Sequence, residues 1–150
     1  MKKIIATLMT FLFLTNCGYT PIYLNQDFDF KIKSINIQKQ NQLNSKINRD
    51  LMSFSNQESQ KIISLGLDAQ KKINTLAKDS KGDPSRYEMI VSINLQIENG
   101  NDQNIKILFE ERFNYNTNSN KFTLRQYEKE IENILINKNI SRITAYLSKI

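Results

Sequence analysis

Residues 87–115, YEMIVSINLQIENGNDQNIKILFEERFNY, are the part of the sequence that decides the fold. Apolar and polar residues alternate from Tyr87 to Glu98, and a second alternating run extends from Ile105 to Tyr115. This period of two is typical of β-strands with one buried and one wetter face. Between the two runs, the segment Asn99-Gly100-Asn101-Asp102 has the residue types of a tight turn. The stretch therefore predicts a long antiparallel hairpin.

Three further elements are predicted before this hairpin. Residues 25–37 alternate as a strand, but the apolar face switches near Lys33-Ser34, as a β-bulge would cause. Residues 41–54 carry apolar side chains at the spacing of an amphipathic helix. Residues 63–75 alternate again and predict a strand, and residues 78–86 lose all periodicity and predict a surface loop.

The last thirty residues have the apolar spacing of a helix. The apolar positions after Asn137-Lys138-Asn139 are rotated relative to one apolar side that is formed by Leu124, Tyr127, Ile131, Ile134 and Leu135. We therefore expect a kink or a break at that point. Together the elements predict an α+β two-layer sandwich, with a mixed sheet of about four strands and two helices packed on one face.

The N-terminus predicts export and lipid attachment. A short positive segment precedes an apolar run, Ile4 to Leu14, that is too short to span a bilayer and suits a signal peptide. The run ends in Leu14-Thr15-Asn16-Cys17, which resembles a bacterial lipobox in which Asn16 replaces the usual smaller residue. An exported chain with a single cysteine forms no internal disulfide, so a thioether to lipid is the expected use of Cys17. We predict a signal peptide over residues 1–16 and one lipoprotein domain over residues 17–150.

The charges and the reactive side chains exclude several classes of protein. The chain has 21 basic and 15 acidic residues, and the basic residues are scattered, so nucleic acid is not an expected partner. There is no histidine, the one cysteine is assigned to lipid, and no glycine-rich phosphate loop occurs. Glu110 and Glu111 are neighbours on a strand and point to opposite faces. We expect no enzyme activity, no catalytic residues, no metal site and no cofactor.

Three segments carry a resemblance to a known family. They are Cys17-Gly18-Tyr19-Thr20-Pro21-Ile22-Tyr23, Arg86-Tyr87-Glu88-Met89-Ile90-Val91 and Phe113-Asn114-Tyr115-Asn116. These segments, in an element order that agrees over nearly the whole mature chain, resemble the LPS-assembly lipoprotein LptE family. Its members are outer-membrane lipoproteins that sit inside the LptD barrel and help to deliver lipopolysaccharide to the cell surface.

The resemblance implies a location, partners and a candidate site. Gly18 follows the cysteine where an aspartate would signal inner-membrane retention, so the expected location is the periplasmic side of the outer membrane, with anchoring through the N-terminal lipid. The implied partners are an LptD-like β-barrel protein and lipopolysaccharide. By analogy with cationic loops of the family, the candidate lipopolysaccharide-binding residues are Lys81, Arg86 and Lys121. For any one of these residues taken singly, a solvated loop charge is the more common explanation.

Two other functions remain open from the sequence. One is a lipoprotein that carries lipid in its own cavity, which needs a concave apolar pocket and usually a larger, curved sheet. The other is a cell-wall hydrolase with a pair of acids. A closed two-layer sandwich favours the assembly role over the carrier role.

Overall fold

A computed structural model describes residues 28–99 and 103–150 of the chain. The predicted signal peptide, Cys17 and the first segment of the resemblance lie outside these residues. The elements in chain order are β1 (Lys31–Ile37), α1 (Gln42–Met52), β2 (Ile62–Lys78), β3 (Pro84–Asn99), β4 (Gln103–Asn116) and α2 (Lys121–Leu147). The predicted order of strand, helix, strand, hairpin and helix is confirmed.

The four strands form one mixed sheet in the order β1-β2-β3-β4. β1 is parallel to β2, and the other two pairings are antiparallel. α1 contacts β1 and β2, α2 contacts β3 and β4, and the helices contact each other, so both cover one face. The predicted α+β two-layer sandwich is confirmed. The register shifts between Ile32 and Ser34, which confirms the predicted bulge.

The core lies between the helices and the alternate residues of the strands. On β3, the inward side chains are almost fully buried at every second position, namely Met89, Val91, Ile93, Leu95 and Ile97. The helices contribute Ile47 and Leu51 from α1 and Leu135, Ile136 and Ile143 from α2, all of them fully buried. Removal of this apolar surface from water is the main force that holds the helices on the sheet.

α2 is one continuous helix over Lys121–Leu147, so the predicted break near residues 137–139 is wrong. The reason is the position of Asn139, which is fully buried and faces the sheet. Its side-chain amide donates a hydrogen bond to the carbonyl of Val91 on β3 at 3.0 Å. The side-chain nitrogen of this inward asparagine therefore has a partner on the sheet without any interruption of the helix. Tyr127 and Ile134, predicted on the apolar side, are 42% and 47% exposed.

α1 begins at an asparagine cap and is tied to the sheet by a second asparagine. The side chain of Asn41 accepts a hydrogen bond from the backbone N–H of Asn44 at 2.7 Å. Asn44 is fully buried; its amide donates to the carbonyl of Lys39, and its oxygen accepts from the N–H of Ala69, both at 2.7 Å. The side-chain oxygen of Asn44 therefore acts as the hydrogen-bond acceptor for β2 at the point where β1 has ended.

The β2–β3 connection is shorter than the predicted loop of residues 78–86. β3 begins at Pro84, which lies opposite Lys78, and only residues 79–83 form the turn. Irregularities in the pairing of β2 near Ala77 absorb the loss of strand periodicity. The turn closes with Gly82 at a φ of +87°, a conformation that favours glycine.

Candidate functional site

Two loops lie side by side at one end of the sheet. One is the β2–β3 turn, and the other is the segment of residues 117–120 between β4 and α2. Arg86 pairs with Asn116 across the hairpin, and the N–H of Thr117 donates to the carbonyl of Ser85 at 3.0 Å. The structure therefore brings Lys81, Arg86 and Lys121 to the same end of the sheet, which we call the loop end.

A carboxylate within the β2–β3 turn binds the backbone N–H groups of that turn. Asp79 accepts hydrogen bonds from the N–H groups of Lys81 and Asp83, both at 2.9 Å, through one side-chain oxygen. A second constraint is the backbone bond from the N–H of Asp79 to the carbonyl of Asp83 at 2.8 Å. The turn is thus held internally, and the side chain of Lys81 is exposed at its tip.

Lys121 is the first residue of α2 and follows the helix cap. Asn120 accepts from the N–H groups of Phe122 at 2.9 Å and Thr123 at 3.2 Å. The ion pairs found among residues 28–99 and 103–150 use Lys71, Arg112 and Arg142, and none uses the three candidate cations. Since Lys81, Arg86 and Lys121 are also exposed, their charges are available to an anion from outside.

Three tyrosines pack below the loop end. The rings of Tyr87 and Tyr115 are stacked with centroids 5.5 Å apart, and Tyr127 of α2 meets Tyr115 edge-on at 6.2 Å. The buried Tyr115 hydroxyl donates to the carboxylate of Glu128 at 2.7 Å. Burial and then this hydrogen bond raise the pKa of Tyr115 above its ordinary value of 10.0. The cluster fixes the start of α2 against the sheet.

A groove with a mixed polar and apolar lining opens between the β4–α2 loop and the first turns of α2. Its volume is about 380 Å³, and its lining includes Thr117, Asn118, Thr123 and Gln126. The sequence did not predict this groove or the tyrosine cluster. A usable signal was present, because the predicted hairpin register already places Tyr87 opposite Tyr115.

The face of the sheet opposite the helices is polar and uncovered in the described part of the chain. On β3 it carries Ser92, Asn94 and Gln96, and β2 contributes Lys72. Leu108 on β4 is a large apolar side chain on this face that is 56% exposed. We call this surface the open face.

The two adjacent acids of β4 do point to opposite faces. Glu110 forms an ion pair with Arg112 on the open face, and Glu111 forms one with Arg142 of α2 at 2.7 Å on the helix side. Each carboxylate therefore has its own arginine, and the two do not flank a common point. No group of three or more His, Cys, Asp and Glu residues able to hold a metal occurs in the described ranges. None of the helices in those ranges is long and apolar enough to cross a membrane.

The fold is one that occurs in bacterial lipoproteins. No model of a protein family and no curated protein sequence matches the chain. Solved structures do match, with sequence identities low enough that the similarity concerns the fold alone.

Three of these structures are bacterial lipoproteins. Rare lipoprotein B from Shewanella oneidensis has a TM-score of 0.59 and 16% identity, covering 77% of this chain and 94% of that chain. A minor lipoprotein from Acinetobacter baumannii has a TM-score of 0.59 and 13% identity, covering 81% and 92%. An uncharacterized lipoprotein B from Nitrosomonas europaea has a TM-score of 0.61 and 9% identity, covering 86% and 91%. The structural match therefore covers nearly the whole length of each of these three lipoproteins.

Proposed function

We propose that this chain is a lipoprotein of the outer membrane, held on the periplasmic side by lipid on Cys17. It works with an LptD-like β-barrel protein in the assembly of lipopolysaccharide, as a plug of the barrel and as a component that binds lipopolysaccharide. It acts by binding and ordering its partners and not by catalysis.

The observation that carries the proposal is the agreement of the fold with three bacterial lipoproteins over at least 77% of the chain. The N-terminal sequence supports the same class, because an apolar run ends in Leu14-Thr15-Asn16-Cys17. Two or three acyl chains on one cysteine hold a protein stably at a membrane, whereas one chain binds only marginally. Anchoring also raises the effective concentration of the domain near a membrane partner, so moderate contacts suffice for a stable complex.

The open face supports contact with a hydrophilic barrel interior. It presents amide and hydroxyl side chains such as Ser92, Asn94 and Gln96, which form hydrogen bonds without the burial of an unpaired charge. The interior of large outer-membrane barrels is polar, so such a surface suits their lumen.

The packing gives less support to the two alternatives. The space between the sheet and the helices is filled by fully buried side chains such as Leu67, Ile93 and Leu135, where a carrier would need a cavity for acyl chains. The acids that a hydrolase would use, Glu110 and Glu111, are held apart by Arg112 and Arg142. The assembly role is therefore preferred.

Co-purification tests the partnership with a barrel. The full-length chain, extracted from membranes with mild detergent, is expected to co-purify with a large outer-membrane barrel at fixed stoichiometry. Its intact mass should include lipid on Cys17, and Cys17→Ala should yield an unprocessed or soluble chain that recovers much less of the barrel. Recovery of the wild-type chain as a free monomer, with normal barrel assembly in its absence, contradicts the proposal.

Charge reversal tests the loop end as a glycolipid site. The triple variant Lys81→Glu, Arg86→Glu, Lys121→Glu is expected to lower lipopolysaccharide binding at low salt by roughly tenfold or more, because three charge-assisted contacts to phosphate become repulsive. Binding is measured with the purified full chain and lipopolysaccharide in detergent.

A matched variant separates a local effect from the loss of net charge. Lys33, Lys138 and Lys149 are exposed and lie away from the loop end, so their triple reversal to Glu changes the net charge equally. This control should retain most of the binding in the same assay. Equal losses in both variants, or no loss in the first, would show that the three loop-end cations are not the site.

A further inference from the structure

The outer edge of β4 carries backbone groups that no strand covers in the described part of the chain. β4 is the last strand of the sheet, and it pairs with β3 without a register shift. The carbonyl of Glu110 accepts a hydrogen bond from Arg142 at 3.1 Å, and so it points away from β3. Because backbone groups alternate along a strand, those of Lys106, Leu108 and Arg112 point the same way.

The side chains along this edge are exposed as well. Leu108 is 56% exposed, and Lys106 is exposed without an ion pair to any residue of the described ranges. β4 has 14 residues. A long edge strand of this kind is a template for pairing with another strand.

The opposite edge of the sheet offers a poorer template. β1 has 7 residues and is interrupted by the bulge between Ile32 and Ser34. Short strands and bulges are two of the devices that protect sheet edges from pairing. On β4 the charged side chains of Lys106, Glu110 and Arg112 disfavour those pairings that place like charges opposite each other. A further protection within the described residues is the contact of Arg142 with the carbonyl of Glu110. That carbonyl has a second lone pair and can still accept a hydrogen bond from another strand.

We propose that β4 pairs antiparallel with β4 of a second copy of this chain, centred on Leu108. In this register Leu108 lies opposite Leu108 of the second copy, and Lys106 lies opposite Glu110 of the second copy. By symmetry Glu110 lies opposite Lys106 of the second copy, so the contact occurs twice. Asn104 lies opposite Arg112 of the second copy at each end. All of these residues have outward backbone groups, so they form hydrogen-bonded pairs.

The sequence of the strand selects this register over its neighbours. Two antiparallel registers place opposite charges across from each other on the open face. One is centred on Leu108, and the other pairs Glu110 with Arg112 of the second copy. The second register also places Glu111 opposite Glu111 of the second copy, which sets two like charges side by side. A shift that pairs Lys106 with Arg112 sets like charges opposite each other, and a shift that centres on Lys106 does the same. Opposite charges directly across a strand pair stabilise it, and like charges destabilise it. The register centred on Leu108 avoids all of these clashes and buries the exposed leucine at the symmetry axis.

Complementary charge variants test the pairing and its register together. Lys106→Glu and Glu110→Lys each convert both symmetric contacts from attraction to repulsion, so each variant alone should associate roughly tenfold more weakly than wild type. In a mixture of the two, every contact joins Glu to Lys again. The mixture should therefore associate as wild type does, and so should the double variant Lys106→Glu, Glu110→Lys.

The measurement is the mass of the full chain by light scattering over a concentration series, with detergent micelles in large excess over protein. Lys72→Glu is the matched control, since it changes a charge on the open face of β2 away from the edge and should leave association unchanged. The inference does not depend on the proposed function. A wild-type chain that stays monomeric at all concentrations, or single variants that dimerise as well as wild type, would overturn it. Weakened single variants that the mixture does not restore would overturn the register.

Discussion

Leu135→Ala is expected to lower the free energy of unfolding by about 2–5 kcal/mol, the range for deletion of a well-packed buried leucine. Leu135 is fully buried in the middle of α2, where the helix packs on the sheet. The change removes apolar contacts and leaves a cavity, because the neighbouring strands are held in register and relax only partly. Urea unfolding followed by circular dichroism measures the loss.

The neighbouring residue provides the control. Ile134 is 47% exposed, so Ile134→Ala removes similar apolar atoms from a site that water already reaches. We expect a loss of at most about 1 kcal/mol, in the range of surface substitutions with a small change in helix propensity. Equal losses at the two positions would contradict the orientation of α2 described above.

The sheet could be predicted because its signal is local. The alternation of residues 87–115 sets which face of each strand is buried, and a slip by one residue would expose every apolar side chain of the pair. The bulge near Lys33-Ser34 could be predicted for the same reason, since the apolar face changes sides at that point. These features follow from the chain's own order, without knowledge of any distant contact.

The orientation of α2 could not be predicted in this way. The shift of the apolar positions at Asn137-Lys138-Asn139 indicated an interruption of the helix. The hydrogen-bond partner of Asn139 is the carbonyl of Val91, which is 48 residues away in the sequence. Only the tertiary structure brings the two groups together. The same limit applies to Tyr127 and Ile134, whose exposure depends on where the helix meets β4.

The candidate site was predictable in part. Antiparallel pairing places the residue after β2 and the residue after β4 at the same end, so the proximity of Lys81, Arg86 and Lys121 follows from the predicted hairpin. The lack of ion-pair partners for these three cations among the described residues could not be predicted from the hairpin. It depends on the β2–β3 turn, in which Asp79 accepts hydrogen bonds from backbone N–H groups. The free edge of β4 depends on the strand order and was not visible in the sequence.

Asn44→Leu is expected to lower the free energy of unfolding by about 1–3 kcal/mol, because it leaves one buried backbone N–H without a partner at roughly that cost and removes the donor from one partly buried carbonyl. Those groups are the carbonyl of Lys39 and the N–H of Ala69, both held at 2.7 Å by the Asn44 amide. Leucine is close to asparagine in shape, so the change tests hydrogen bonding more than volume. The second effect is kinetic: the N–H of Ala69 should exchange with solvent much faster in the variant, which hydrogen exchange measures.

Asn48→Leu in the same helix is the control, because Asn48 is half-buried and makes no side-chain hydrogen bond to a described residue. It should alter stability by about 0.5 kcal/mol or less. If Asn48→Leu is as costly as Asn44→Leu, or if exchange at Ala69 is unchanged, the asparagine does not hold α1 on the sheet.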